Sequence, residues 1–181
     1  MSELRIFHDG SPGAPERTLT DHAAIAKALG AEGILFDRWS AAVELGPDDG
    51  QEQVLAAYAG PIAKLRAAKG YQSVDVVRMK PDAPNRAEAR QKFLREHQHA
   101  EDEVRFFVEG SGSFYLHLGA RVYQVICQRG DLVSVPAGTR HWFDMGPAPR
   151  FTAIRMFTNP DGWVANFTGE TIAERFPPFG E

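Results

Sequence analysis

The chain has 181 residues, of which 43% are hydrophobic and 24% charged, and its net charge is −4. This length and composition are typical of one globular domain and exclude a disordered chain. The charge forms no basic stripe, and no apolar run reaches the roughly 20 residues that span a bilayer, so neither a nucleic-acid partner nor a membrane span is expected.

The amino-terminal sequence MSELRIFHDG lacks the basic and then apolar layout of a secretory signal. The single cysteine, Cys127, excludes an internal disulfide and suits a reducing compartment. We therefore expect a cytoplasmic protein, and because nothing in the sequence demands a partner subunit, we expect a monomer.

The first half of the chain, residues 1–94, mixes short strands with helical patterns. Apolar segments predict strands at 4–7 (LRIF) and 73–79 (SVDVVRM). Helical spacing with capping residues is found in three segments: 20–30, 51–70 and 84–94. Pro61 is expected to open the second half of the longest of these helices, because proline is tolerated in the first turn of a helix.

From residue 95 onward the chain consists of β-branched and aromatic segments separated by glycine and proline. These segments are VRFFVEG, GSFYLHL, RVYQVICQ, DLVSVP, RHWFDM and RFTAIRMF. Several short strands at a spacing of roughly 8–12 residues predict an antiparallel sandwich or barrel. We expect one domain over 1–181, with an α/β portion (1–94), a β portion (95–170) and an irregular tail (171–181).

The segment REHQHAEDEVRFFVEG, residues 95–110, has the composition of a metal site. Because side chains alternate along a strand, His97 and His99 would share one face, and Glu103 would join them if the strand continues or turns gently through AEDE. His141 follows a PAG turn that could bring it to the same place. Any one of these residues alone would be an ordinary surface or core residue. Their joint spacing, H-x-H-x3-E-x6-G and then G-x5-P-x-G-x2-H, favours a transition-metal site.

These two segments resemble the paired motifs of the cupin superfamily, whose fold is a double-sheet jelly roll with one metal in its mouth. The resemblance implies a mainly β fold, a cupin double-stranded β-helix with α-helices in the amino-terminal portion. Gln91 and Met145 stand where the motifs usually have glycine and often asparagine, but both positions lie outside the ligand set. The superfamily hosts many activities and does not define one.

Three segments, in order, resemble the acireductone dioxygenase family more closely: EHQHAEDEVRFFVEGSGSFYL, VPAGTRHWFDMG and RMFTNPDGWVANF. The resemblance implies oxidation of 1,2-dihydroxy-3-keto-5-methylthiopentene by O2 in methionine salvage. With iron, the family gives formate and 2-keto-4-methylthiobutyrate, whereas with nickel it gives formate, carbon monoxide and methylthiopropionate. The resemblance also implies one Fe(2+) or Ni(2+) per chain, held by His97, His99, Glu103 and His141.

The residue types give this reaction a chemical basis. Three imidazoles and one carboxylate leave about two sites of an octahedral ion, which the neighbouring oxygens of an enediol can fill. Arg105 would keep the substrate ionised, because opposite charges about 4 Å apart at an effective dielectric near 20 attract by roughly 4 kcal/mol. The alternative for Arg105 is a structural ion pair with Glu96, Glu101 or Asp102.

Further residues have expected roles around the ligands. Glu96 and Asp102 would orient the imidazoles or couple the site to its surroundings, or else be solvated charges. Arg155 would add a second positive charge near the substrate. Phe143 and Trp163 would wall the methylthio tail, with plain core packing as their alternative.

Other functions stay open on this evidence. The chain could be another cupin dioxygenase that cleaves a different enediol or diketone, or a small-molecule-binding cupin without turnover. His8, His22 and His117 fit no ligand spacing and are expected to be structural or exposed.

Overall fold

The computed structural model describes residues 1–46 and 48–180. The strands are β1 (Glu3–His8), β2 (Arg17–Leu19), β3 (Leu35–Arg38), β4 (Ser73–Met79), β5 (His97–Gln98), β6 (Glu103–Leu118), β7 (Arg121–Gln128), β8 (Asp131–Val135), β9 (Arg140–Asp144), β10 (Phe151–Phe157) and β11 (Asn166–Phe167). The helices are α1 (His22–Gly30), α2 (Gln51–Ala57), α3 (Ala59–Lys69), α4 (Arg86–Leu94) and a 3-10 turn, Ile172–Arg175. The α-helices of this described part all lie before residue 95, as the sequence predicts.

The strands form two antiparallel sheets that share β6. One sheet has the order β11-β5-β9-β6-β7-β1-β2, and the other has the order β4-β10-β6-β8-β3. The first half of β6 pairs with β8 and β10, and its second half pairs with β7 and β9. This arrangement confirms the mainly β, jelly-roll class.

The prediction of two separate strands within residues 103–118 is wrong, because β6 runs unbroken through the GSG sequence. The strand bends near Gly110, whose φ is +68°, and the bulge that shifts its register against β10 lies at Val108, between the pairs Thr152–Glu109 and Ala153–Phe107. A Cβ at this position would lie 1.8 Å from the carbonyl oxygen of Arg150. Glycine is therefore what lets one strand pass from the sheet of β8 and β10 to the sheet of β7 and β9.

The predicted helices are confirmed with small shifts of their ends. The Asp21 carboxylate caps α1 by accepting a hydrogen bond from the Ala24 amide at 2.8 Å. The segment 51–70 consists of two helices that meet at Tyr58, with Pro61 in the first turn of α3. No helix in the described residues is long and apolar enough to cross a membrane.

The space between the sheets is filled by aromatic and aliphatic side chains such as Phe107, Phe114 and Phe143. The carboxy-terminal segment covers the outer face of the first sheet, where Phe176 packs against Trp142. The prediction of an irregular tail is therefore wrong for part of it. The segment contains the 3-10 turn, and the Tyr115 hydroxyl donates a hydrogen bond to the Pro177 carbonyl at 2.7 Å.

Candidate metal and substrate site

Three buried histidines converge at one end of the sheets. The candidate ligand atoms of His97, His99 and His141 all lie within 4.8 Å of one another. His97 in β5 is the direct cross-strand partner of His141 in β9, and their ring centroids lie 4.4 Å apart. The site is therefore one that can bind a metal ion through three imidazoles.

The chain turns between His97 and Glu103, which is one of the two arrangements that the sequence leaves open. The strand that begins at His97 ends at Gln98, and β6 begins after the turn, at Glu103. His99 lies in that turn. Strand pairing and the turn, rather than alternation along one strand, place these side chains at one point.

Glu103 joins the histidines as a fully buried carboxylate. Its Oε2 lies 2.9 Å from His99 Nε2 and 3.9 Å from His141 Nε2. Its Oε1 accepts a hydrogen bond from Arg105 Nη2 at 2.8 Å. One carboxylate oxygen thus faces the imidazoles, and the other is held by the arginine.

Buried polar atoms without partners mark the centre of this cluster. His99 Nε2, His141 Nε2 and Glu103 Oε2 have no hydrogen-bond partner of good geometry within residues 1–46 and 48–180. Leaving one such atom unsatisfied costs about 1–3 kcal/mol, and native proteins rarely leave several in one place. The donor set of imidazole nitrogens and one carboxylate oxygen fits a divalent transition metal.

Each imidazole is oriented by a backbone carbonyl that contacts its Nδ1. These contacts are His97 to Arg95 O at 2.7 Å, His99 to Val164 O at 2.6 Å and His141 to Thr139 O at 2.7 Å. Because a carbonyl oxygen only accepts hydrogen bonds, Nδ1 is the donor in each of these contacts, and the ring turns its Nε2 toward the centre of the cluster.

The two flanking carboxylates do not orient these rings. Glu96 accepts hydrogen bonds at 2.7 Å from His117 Nδ1 and at 2.8 Å from the Thr168 hydroxyl. These contacts lie on the face of the sheet opposite to the one that carries His141. Asp102 accepts a hydrogen bond at 2.8 Å from the Ala137 amide, in the turn that leads to His141. The prediction that Glu96 and Asp102 orient the three imidazoles is therefore wrong. Their hydrogen bonds agree with the alternative, that they couple the site to its surroundings.

The electrostatics of the cluster suit a metal ion. Burial lowers the pKa of His97 to about 4 and that of His141 to about 3. Burial alone would raise the pKa of Glu103, but the Arg105 guanidinium and the neighbouring His99 hold it well below its usual range. Near neutral pH, His97 and His141 are therefore neutral and the carboxylate is ionised, as metal coordination requires.

Arg105 is buried beside these candidate ligands. Its ion pair is with Glu103, and its guanidinium lies 4.7 Å from the Phe114 ring centre and 4.6 Å from that of Phe143. The alternative pairing with Glu96, Glu101 or Asp102 is wrong in its choice of partner. Among the described residues, Arg105 Nε has no acceptor.

Arg155 lies directly opposite Arg105 across the β10–β6 pair. Its Nε and Nη2 donate to the two carboxylate oxygens of Asp75 at 2.8 and 2.7 Å. Sequence reasoning missed Asp75, although a lone acidic residue in the apolar strand SVDVVRM was a signal that could have found it.

The aromatic residues of the site lie at two depths. The Trp163 ring centre is 5.6 Å from that of His97 and 5.9 Å from that of His99, so this side chain borders the cluster. Phe157, which the sequence did not single out, lies 5.9 Å from His99. Phe143 is deeper, packed against other core rings beneath Arg105.

Together, the jelly-roll sheets and the buried three-histidine site define a metal-binding protein of the cupin class. The chain belongs to the ARD/ARD' family, whose model matches residues 4–165. It is 58% identical to the acireductone dioxygenase of Alcanivorax borkumensis over 97% of each chain, and 56% identical to that of Pseudomonas savastanoi pv. phaseolicola over 98% of each chain. A solved acireductone dioxygenase from Bacillus anthracis with a cadmium ion in its active centre has a TM-score of 0.79 and 31% identity, and covers 92% of this chain and 98% of that chain.

Proposed function

We propose that the protein is an acireductone dioxygenase that oxidises 1,2-dihydroxy-3-keto-5-methylthiopentene with O2 in methionine salvage. The observation that carries this proposal is the convergence of buried ligand atoms without partners, next to two arginines. The family membership and the full-length relatives named acireductone dioxygenase support it.

We propose that His97, His99, Glu103 and His141 hold one Fe(2+) or Ni(2+) per chain. Both ions accept imidazole and carboxylate ligands, and the cadmium ion in the active centre of the Bacillus anthracis enzyme supports a metal at this site. When bound, the metal supplies a Lewis acid that polarises the substrate oxygens. The iron form would give formate and 2-keto-4-methylthiobutyrate, and the nickel form formate, carbon monoxide and methylthiopropionate.

The protein's own residues hold the ionised substrate. An enediol that loses protons on binding becomes an anion, and a buried guanidinium stabilises that charge far better than water-exposed groups do. Arg105 and Arg155 place two cations next to each other on this face of the sheet. Trp163 and Phe157 form an apolar wall beside the histidines that suits a methylthio tail, and Phe143 supports Arg105 from below.

The free, buried cysteine supports a cytoplasmic location for this enzyme. We propose that it acts as a monomer, which gel filtration tests by the expected mass of 20.0 kDa.

Two measurements test the function together. Protein purified without added metal is analysed for its metal content, and synthetic acireductone is then mixed with it under argon before O2 is admitted. We expect about one metal per chain and rapid O2 uptake. A different cupin dioxygenase would consume O2 only with another enediol or diketone, and a binding protein would retain the metal and the ligand without consuming O2.

A further inference from the structure

We propose that Asp75 is a positioning residue that sets the Arg155 guanidinium against the anionic substrate, and that the two arginines of the site have different tasks. The inference rests on the proposed function, because it concerns how the same site binds an enediolate anion.

The three charged residues lie in one row across neighbouring strands. Asp75 in β4 is the register partner of Arg155 in β10, which is in turn the partner of Arg105 in β6. Directly opposed residues of antiparallel strands project to the same face. A carboxylate and two guanidiniums therefore stand side by side on the face that also carries Glu103.

Arg105 is tied to the ligand set. It holds one oxygen of Glu103, and the other oxygen of this carboxylate lies 2.9 Å from His99 Nε2. Moving Arg105 would therefore move a metal ligand, which makes its first task the orientation of Glu103.

Arg155 is held from outside the ligand set. Both of its hydrogen bonds to Asp75 are short, and a bidentate pair fixes the plane of the guanidinium as well as its position. The guanidinium lies 5.5 Å from the Phe157 ring centre and 5.8 Å from that of Trp163, the two rings that border His99. Arg155 can therefore bind substrate without disturbing the metal.

Asp75 also offsets the repulsion between the two arginines. Arg155 lies directly opposite Arg105, and the Asp75 carboxylate that accepts both Arg155 hydrogen bonds places a negative charge beside these two positive charges. The Asp75 side chain is 36% exposed, so its charge is not fully desolvated. Among the described residues, Asp75 accepts both side-chain hydrogen bonds of the Arg155 fork, so its removal would leave the ring contacts with Phe157 and Trp163 to hold the fork against the repulsion from Arg105.

The test compares Asp75→Asn with Glu109→Gln as a matched control. Glu109 forms an ion pair with Arg78 at 3.5 Å and accepts a hydrogen bond from Thr152, on the same three strands but at the end away from the histidines. Both variants remove one carboxylate charge from this sheet. Metal content, the thermal midpoint, kcat, KM and the anaerobic Kd for synthetic acireductone are measured for each, with the ultraviolet spectrum of the bound substrate reporting its ionisation.

We expect Asp75→Asn to keep its metal and to raise both Kd and KM about tenfold, a loss of about 1.4 kcal/mol, with a much smaller change in kcat. Glu109→Gln should leave these constants unchanged. In an Arg155→Met background, Asp75→Asn should have no further effect on Kd, because the two residues act as one unit. Asp75→Glu, which keeps the charge, should restore part of the affinity.

An unchanged Kd in Asp75→Asn, an equal change in Glu109→Gln, or additive effects with Arg155→Met would overturn the inference. Loss of metal from Asp75→Asn would show a structural role and would overturn it as well. A different outcome would contradict the proposed function alone: wild-type protein binds the enediolate more tightly than Asp75→Asn does, but it consumes no O2.

Discussion

His97 and His141 face each other across the β5–β9 pair, with ring centroids 4.4 Å apart. This single cross-strand pairing joins the two sequence motifs into one site. β5 is only two residues long and lies between β9 and β11, so the position of His97 depends on both neighbours. Changes to the candidate ligands should therefore change the affinity for metal.

Replacing His141 with alanine should weaken metal binding by well over tenfold, which corresponds to more than about 1.4 kcal/mol. The variant loses one candidate ligand, so the metal would be held by fewer protein atoms and would have one more open coordination position. Competition with a chromophoric chelator measures this affinity. His8→Ala is the control, because its side chain is 51% exposed and lies outside the cluster. A His141→Ala protein with unchanged affinity would remove this residue from the ligand set.

Arg105→Leu and Arg155→Leu should differ in their effect on the metal. Loss of the 2.8 Å hydrogen bond to Glu103 in the first variant should weaken metal binding by about 10- to 100-fold. Arg155→Leu should keep the wild-type metal affinity, because its partner Asp75 lies outside the cluster. Both variants should lose most activity even when they are fully loaded with metal. Equal metal affinity in the two variants would mean that Arg105 does not orient Glu103.

The metal-free protein should lose stability in mild acid because of its buried histidines. Burial lowers the pKa of His97 to about 4 and that of His141 to about 3, so the unfolded chain binds protons more readily than the folded one. Above about pH 6.5 both histidines are neutral in the folded and the unfolded chain, and the full free energy of unfolding is present. As the pH falls from about 6.5 toward the folded-state pKa values, the unfolded chain takes up protons first and the free energy of unfolding decreases, by about 2 kcal/mol per histidine at about pH 5. Urea unfolding of metal-free protein from about pH 7.5 to 4.5 measures the slope, which His141→Gln should reduce. Equal slopes in the two proteins would show that His141 does not titrate in this way.

Gly110→Ala should destabilise the protein far more than Gly119→Ala. Both glycines have positive φ, +68° and +60°, so both variants carry backbone strain of about 1–2 kcal/mol. Only at Gly110 would the added Cβ meet a backbone atom, the Arg150 carbonyl at 1.8 Å, whereas nothing lies within 4 Å at Gly119. Urea unfolding of both variants measures the difference. Similar losses would mean that the bend of β6 has room for a side chain.

Local patterns predicted much of the fold and of the candidate site. Apolar segments rich in β-branched and aromatic residues identified most of the longer strands, and the paired motifs singled out His97, His99, Glu103 and His141, which the structure brings together. The two-residue strand β5 was beyond reach, because its formation depends on pairing with β9 and β11 rather than on its own sequence. Long-range register likewise placed Asp75 beside Arg155, and no local pattern contains that information.

The most direct test of the proposed metal-dependent dioxygenase activity is product analysis after exchange of the metal. The protein is stripped of metal, reloaded with Fe(II) under argon or with Ni(II), and given the same synthetic acireductone and O2. One set of imidazole and carboxylate ligands accepts both ions, and nickel should bind the more tightly. We expect the keto acid and formate from the iron sample, and carbon monoxide with formate and methylthiopropionate from the nickel sample. O2 consumption by neither sample, with the metal bound at the histidines, would contradict this expectation.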